Sequence, residues 1–380
     1  RLRVYTEVSH NALTLPDFFT HRFKDDTRML RILAAVVILV FFTIYCASGV
    51  VAGARLFENT FDMSYERAVW IGAAATIIYV FIGGFLAVSW TDTFQASLMC
   101  VALVVTPIVV MTDLGGFSSA VEQVKAIDVN MVNMLSHQTF IGVLSLIAWG
   151  LGYFGQPHIL VRFMAIRHED ELKLSRRIAS IWVVISMAVA VFIGIVGHAV
   201  SNVGRIPMLE GSATETVIVR LSDLLSSYGL LPAIVAGCIL AGILAATMST
   251  ADSQLLAAAS AFSENVLQDV FGVKLTSKQN MLAARLTVVV IAFIAIFLAA
   301  DPNSNVFKIV SFAWAGFGAT FGPAVLFALF WRRSNRQGVL AGLVAGGLMI
   351  FAWKFCVRPL GGIWDIYEPV SYTHLTLPTI

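Results

Sequence analysis

Polar positions along this chain are sparse and bunched, and between them lie long stretches with hardly a charge. These apolar runs cover residues 32–54, 68–91, 93–112, 139–161, 178–200, 224–251 and 309–331. A helix of about 20 residues, rising 1.5 Å per residue, crosses a hydrocarbon layer ~30 Å thick, so each run predicts a membrane-spanning helix. Two shorter runs, 286–300 and 338–353, reach the same length once a boundary charge is included. The pattern predicts an all-α polytopic membrane protein with about nine crossings.

Composition agrees with the pattern. The chain of 380 residues is 58% hydrophobic and 13% charged, with a mean hydropathy of +0.83, too little polar surface for a water-soluble domain. Most of the 25 Lys and Arg fall in segments 1–31, 162–177, 252–285 and 332–337, which alternate crossings place on one side. The positive-inside rule makes that side cytoplasmic. The net charge of +2 is therefore an orientation signal and carries no implication of nucleic-acid binding. The charged loop 162–177 reads as a solvated connector and topology anchor.

No linker or low-complexity tract divides the chain, which predicts one membrane domain over residues 1–369. Pro16 and Asp17 mark the start of a short helix at the inner surface. The outer loops 113–138 and 201–223 are long enough for short helices of their own. Cys46, Cys100, Cys238 and Cys356 have neither metal nor disulfide spacing and read as small apolar packing residues. Of the histidines only His158 and His198 fall in or near spans, at opposite membrane faces, which argues against a haem protein. A channel would need a repeated selectivity element, and none is visible.

Four segments could carry chemistry. "AWGLGYFGQPHIL" (148–160) contains G-x-G-x-x-G, but a dinucleotide loop needs a preceding strand and a following helix, and both flanks here are transmembrane. Gly150, Gly152, Gly155 and Pro157 instead predict a helix broken in mid-membrane, where freed backbone groups face a solute, beside Trp149, Tyr153 and Gln156. A merely kinked helix fits the pattern as well. In "LAATMSTADSQLL" (244–256), Ala246, Ser249 and Thr250 share one helix face at i, i+3 and i+4. Hydroxyls and a carbonyl there suit a hard cation such as Na⁺, although such hydroxyls also commonly bond the carbonyl a turn back. Asp252 follows as an isolated carboxylate within the same run. Asp92, between two apolar runs, marks either an inner turn or an ion path. "SFAWAGFGATFGP" (311–323) reads as a flexible gating helix or a close-packed one. Gly49 with Gly53, and Gly338 with Gly342 and Gly346, predict close helix packing.

Taken in order, "LTLPDFF", "LVFFTIYCASGVVAGARLFE", "GGFLAVSWTDT", "WGLGYFGQPHIL", "MST" with "SQLL", and "AWAGFGA" resemble the sodium:solute symporter family, nearest its proline-transporting branch. Phe312 stands where that branch has Tyr. The resemblance implies a five-plus-five inverted-repeat core in the inner membrane and Na⁺-coupled uptake of L-proline, with no organic cofactor. It assigns Ala246, Ser249 and Thr250 to sodium, and Trp149, Tyr153, Pro157 and Tyr45 to the substrate. Asp92 matches a carboxylate on the sodium route, whereas Asp252 departs from the pattern and is an additional candidate for that route. Other substrates of the family (pantothenate, a sugar or a carboxylate) and a symporter-like sensor are the alternatives. The family pattern also has three helices ahead of Arg1, one of them supplying further sodium ligands, so neither transport step is expected of residues 1–380 alone. The last residues, "VSYTHLTLPTI" (370–380), resemble translated sequencing-adapter DNA and are expected to lie outside the fold.

Overall fold

The computed structural model describes residues 1–361 except 83–84, 134–135, 137–138, 269–271 and 274, together with residue 364. The candidate tail at 370–380 lies outside the described residues. Among those described there are helices and no strands. Seven helices are long and apolar enough to cross a membrane. The remaining expected crossings correspond to α4 (Tyr65–Ile82) and to a helix interrupted in its middle.

The chain begins with α1 (Leu2–Val8) and α2 (Leu15–Phe23). Thr14 caps α2 by accepting the backbone N–H of Asp17 at 3.3 Å, and Pro16 sits in the first turn, where its missing N–H costs nothing. Asp17 then pairs with Arg31 at 3.1 Å, tying α2 to α3 (Met29–Phe61). After α4 come α5 (Phe85–Asp113) and the outer helix α6 (Phe117–Ile127). The interrupted helix is α7 (Phe140–Ala148), a 3₁₀ stretch Trp149–Gly155, and α8 (Pro157–Met164). It is followed by α9 (Glu171–Asn202), a 3₁₀ turn Gly211–Thr216 and α10 (Val217–Ser226). Then α11 (Leu230–Ser260) runs into a π-helical turn, Ala261–Gln268. The chain finishes with α12 (Ser277–Leu298), α13 (Val306–Phe330) and α14 (Arg336–Ala352).

One expected boundary moves. The sequence divides residues 68–112 at Asp92, but Asp92 lies inside α5, and α4 ends earlier, at Ile82. A carboxylate does not itself break a helix, and this one is met by Arg162 from α8 at 2.8 Å. Asp92 is not at a turn.

Burial separates the centre of the bundle from its rim. In α13, 83% of the apolar window is buried, against 6% in α9, so α13 is the central helix and α9 lies at the rim of the described bundle. Phe41 and Phe42 of α3 pack on Phe317 of α13, and Phe19 of α2 stacks on Phe321. Between transmembrane helices the lipid is as apolar as the side chains, so close fit rather than water exclusion holds such contacts. Gly346 of α14 shows this: a Cβ there would overlap the carbonyl of Ala319. Gly72 lies against the backbone of Gly53. Gly342, in contrast, faces open space, so the i, i+4 glycine pattern marks close packing only in part.

Candidate functional site

The site is built around the interrupted helix. Its α-helical hydrogen bonding tightens to 3₁₀ at Trp149, Gln156 takes an extended conformation (φ −81°, ψ 107°), and Pro157 restarts the helix. Proline lacks the N–H that would continue the ladder and its ring excludes the preceding turn, so the break falls immediately ahead of it. Inside a membrane the freed backbone groups need partners. Gln156 supplies them from its own side chain: fully buried, it donates through Nε2 to the carbonyls of Gly152 at 3.2 Å and Trp314 at 3.3 Å. One side chain thus closes the break and fastens it to α13.

The three glycines are not equivalent. A Cβ at Gly155 would overlap the carbonyl oxygen of Phe317 and crowd the backbone of Gly318 and Gly322, so only glycine lets the break lie against α13. Gly150 faces open space. The spacing that mimics a nucleotide loop is a packing requirement at Gly155 and not at Gly150.

Aromatic rings converge beside the break. Trp314 of α13 meets Trp149 at 5.8 Å and Tyr153 edge-on at 4.7 Å between centroids. Its indole Nε1 donates to the hydroxyl of Tyr45 at 2.9 Å, and Tyr45 also faces the ring of His158 at 6.0 Å. Phe307 stacks on Trp149 from the other end of α13's first turns, at 5.4 Å. Tyr45 is buried, whereas Tyr153 is 48% exposed, leaving an open aromatic face at the break. Trp149, Tyr153 and Tyr45 are therefore brought together, and the residue that joins them is Trp314. Sequence reasoning passed over Trp314 within "SFAWAGFGA"; an aromatic flanked by small residues was its only signal. Pro157 lies behind this cluster, where it borders a separate cavity that excludes the other three. At Phe312 the ring contacts Phe41 at 6.1 Å and carries Lys354 over its face at 3.9 Å.

The cation face on α11 is compact. The hydroxyls of Ser249 and Thr250 both point at the carbonyl of Ala246, at 3.2 and 3.1 Å. Three oxygens are thereby held on one half-buried surface, in the back-bonded arrangement that transmembrane hydroxyls commonly adopt. Ser253 continues the face by donating to the carbonyl of Ser249 at 3.1 Å.

One turn further along, the candidate ion-path carboxylates form a charged cluster. Arg162 donates to Asp92 Oδ2 and to Ser253 Oγ, each at 2.8 Å, joining α8 to α5 and α11. Asp252 is fully buried and accepts from Ser253 at 3.3 Å, while its Oδ2 has no partner. Of the two carboxylates, Asp92 is the one that pairs with Arg162, and Asp252 is reached through Ser253. Among the described residues no group of three His, Cys, Asp or Glu could hold a multivalent metal ion.

A second missed residue is Glu215, in the 3₁₀ turn Gly211–Thr216. Its two carboxylate oxygens accept the backbone N–H groups of Val306 and Phe307 at 3.0 and 3.1 Å. A carboxylate at a helix N-terminus meets unpaired donors and the positive end of the dipole. The outer loop is thus tied to the start of α13, next to the ring that stacks on Trp149.

Comparison with known proteins gives the family of the chain. The sodium:solute symporter family model matches residues 2–346. The chain belongs to the sodium:solute symporter family. A sodium/proline symporter of Salmonella typhimurium is 52% identical over 372 residues, covering 97% of this chain and 72% of that protein. A sodium/proline symporter of Escherichia coli is 50% identical over 357 residues, covering 93% and 70% respectively. Among solved structures, a Na⁺-coupled sialic acid symporter in a substrate-bound outward-open state aligns with a TM-score of 0.75 over 96% of this chain and 75% of that one. At 18% identity that likeness bears on the fold alone, and it agrees with the five-plus-five helical core expected of this symporter family.

Proposed function

We propose that this chain forms part of the transport core of a Na⁺-coupled L-proline symporter, a multi-pass inner-membrane protein working by alternating access without covalent chemistry. Residues 1–369 form part of its membrane domain. The observation that carries the reading is the helix break at Gln156–Pro157, pinned to α13 and flanked by Trp149, Tyr153, Tyr45 and Trp314. Its identity with sodium/proline symporters over nearly the whole chain supports proline over other solutes.

In this mechanism Trp149 and Tyr153 offer an apolar face to the pyrrolidine ring, with polar tips for the zwitterion. Ala246, Ser249 and Thr250 hold Na⁺ after their hydroxyls turn from the Ala246 carbonyl to the ion. Asp92 and Asp252 line the ion's route to the cytoplasm. Binding of Na⁺ raises proline affinity, and proline raises Na⁺ affinity by the same factor, because the coupling is a single free energy. The driving force is the sodium gradient plus about 2.3 kcal/mol per charge for each 100 mV of membrane potential.

The test uses the full-length gene product in membrane vesicles. Labelled proline uptake under an inward Na⁺ gradient is compared with uptake in choline, for wild type, Ser249→Ala and Thr250→Ala. Sodium-dependent uptake that is lost in the variants supports substrate and ion site together. Uptake of another solute but not proline overturns the substrate, and uptake indifferent to Na⁺ overturns the ion site.

A further inference from the structure

Where α13 ends and α14 begins, a groove of about 490 Å³ runs between the two helices. Two contacts put it on the same side as residues 1–31. Arg22 donates through Nε to the carbonyl of Ala328 at 3.1 Å, and Asp25 pairs with Arg336 at 3.6 Å. The basic residues make that side cytoplasmic. The groove is separate from the helix break and the ion face: Trp149, Tyr153, Ser249 and Arg162 do not border it.

Its two ends differ in chemistry. The inner end is formed by Arg333, Ser334 and Gln337, and the deep end by Pro323, Ala324 and Gly342. Trp331 lies between them, bordering the groove and 41% exposed, as indoles at a membrane–water interface commonly are. From Trp331 back to Pro323 the helix rises about 12 Å at 1.5 Å per residue, so the deep end lies within the hydrocarbon. That depth stays open because the residues there are small: a Cβ on Gly342 would meet no atom within 4 Å.

The charge at the inner end has one sign. Arg333 is exposed, and its guanidinium has no hydrogen bond or ion pair among the described residues. Arg332 stands next to it, and no Asp or Glu occurs from residue 302 to residue 364. Asp25, the carboxylate that reaches this end from elsewhere in the chain, is met by Arg336. An anionic head joined to an apolar tail answers both ends at once. A guanidinium pairs with a phosphate through two parallel hydrogen bonds, and the slot between the helices admits an acyl chain. A soluble anion would leave the deep end empty, and an apolar protein segment would leave Arg333 without a counter-charge. Basic pockets between spans on the cytoplasmic side are suited to anionic headgroups for this reason. We propose that this groove binds an anionic phospholipid of the inner leaflet, its phosphate on Arg333 and an acyl chain directed toward Pro323 and Gly342. The site is independent of which solute is carried.

The experiment uses the full-length protein with photoactivatable benzoylphenylalanine in place of Ala341, an exposed residue bordering the groove. The protein is placed in vesicles of phosphatidylethanolamine with a minority of phosphatidylglycerol, irradiated, and its adducts identified by mass spectrometry. Phosphatidylglycerol is expected to be enriched among them about fivefold over its share of the bilayer, equivalent to ~1 kcal/mol for an arginine at the membrane surface. Arg333→Gln is expected to bring the adducts back toward the bilayer composition, whereas Arg333→Lys keeps the charge and most of the enrichment. Adducts that mirror the bilayer without any change at Arg333 overturn the site. So do adducts to the protein's own polypeptide, which would mean that another helix covers the groove. Enrichment that survives Arg333→Gln also overturns it, because the headgroup would then have no tie to the groove. If Arg333→Gln does not reach the membrane, Gly342→Leu fills the deep end and is expected to abolish the enrichment; persistence there overturns the site equally.

Discussion

Trp314 Nε1 donates to Tyr45 Oη across 2.9 Å, and this bond joins the central helix α13 to α3 beside the broken helix. Both groups are buried, so the bond has no water to compete with it. It sets the plane of the indole against which Trp149 and Tyr153 pack. Replacing Tyr45 with Phe removes the acceptor and leaves a buried indole N–H unpaired, at a cost of about 1–3 kcal/mol. The expected outcome is a KM for proline raised about tenfold with membrane abundance unchanged. Uptake kinetics on Tyr45→Phe check it, and an unaltered KM would remove this bond from the site's architecture.

Gly155 predicts an asymmetry among the glycines of the break. Gly155→Ala drives a methyl group into the backbone of α13, and overpacking of this kind costs about 1–3 kcal/mol. Gly150→Ala meets open space and is expected to behave as wild type. Membrane abundance by immunoblot and initial uptake rates, measured for both variants, distinguish them. Equal behaviour of the two would contradict the close approach to Phe317.

Arg162 and Asp92 predict energetic coupling between α8 and α5. With Arg162 partly open to solvent, the pair is expected to contribute about 0.2–1 kcal/mol, a coupling of up to about fivefold in transport rate. Arg162→Ala is expected to harm transport more than Asp92→Asn, because it removes the partner of both the Asp92 carboxylate and the Ser253 hydroxyl. A double-mutant cycle on maximal uptake rate measures the term. Strict additivity would show that the ion pair plays no part in the cycle.

Asp25 predicts an acid limit to stability. Burial raises its pKa, but the Thr27 hydroxyl, the backbone N–H groups of Leu30 and Thr27, and the Arg336 guanidinium outweigh that and leave it below the usual carboxylate value. A group whose folded pKa is depressed stabilises the fold above its unfolded pKa of about 3.9 and loses that contribution as pH falls through the folded value. Asp25→Asn is therefore expected to melt several degrees lower than wild type from pH 7 to pH 5. The gap should close as the pH drops below about 4. Melting of the detergent-solubilised protein, followed by tryptophan fluorescence, checks both limbs; a gap independent of pH would remove the charge from the account.

Glu215 predicts a link between the outer loop and α13. Glu215→Ala removes the carboxylate that accepts the N–H groups of Val306 and Phe307, at about 0.5–2 kcal/mol as for loss of a helix cap. Because Phe307 stacks on Trp149, proline affinity is expected to fall with it. Glu215→Gln retains an acceptor and is expected to recover part of the effect. Binding of labelled proline to the two variants reads this directly, and equal loss in both would indicate that charge alone matters.

How much of this was legible in the chain depends on the range of the interaction. Spans, the helix start at Pro16 and Asp17, and the break at Pro157 follow from covalent geometry and from the solvent, which act on each segment independently of its neighbours. That Ala246, Ser249 and Thr250 share a face was legible for the same reason, since helix periodicity alone puts them together. Asp92 misled because an isolated charge in an apolar run reads as a boundary; its partner Arg162 lies far along the sequence, and only the fold supplies it. The same holds for Trp314 beside Tyr45, Glu215 at the start of α13, and the choice of Gly155 over Gly150 as the glycine that matters. Each depends on what faces the residue across a helix–helix contact. The sequence by itself determined a polytopic helical bundle with one broken helix and one cation-suited face, because periodicity, proline and hydropathy are local. Which rings meet at the break and which charges are paired were decided by tertiary structure, because those partners become neighbours only when the helices assemble.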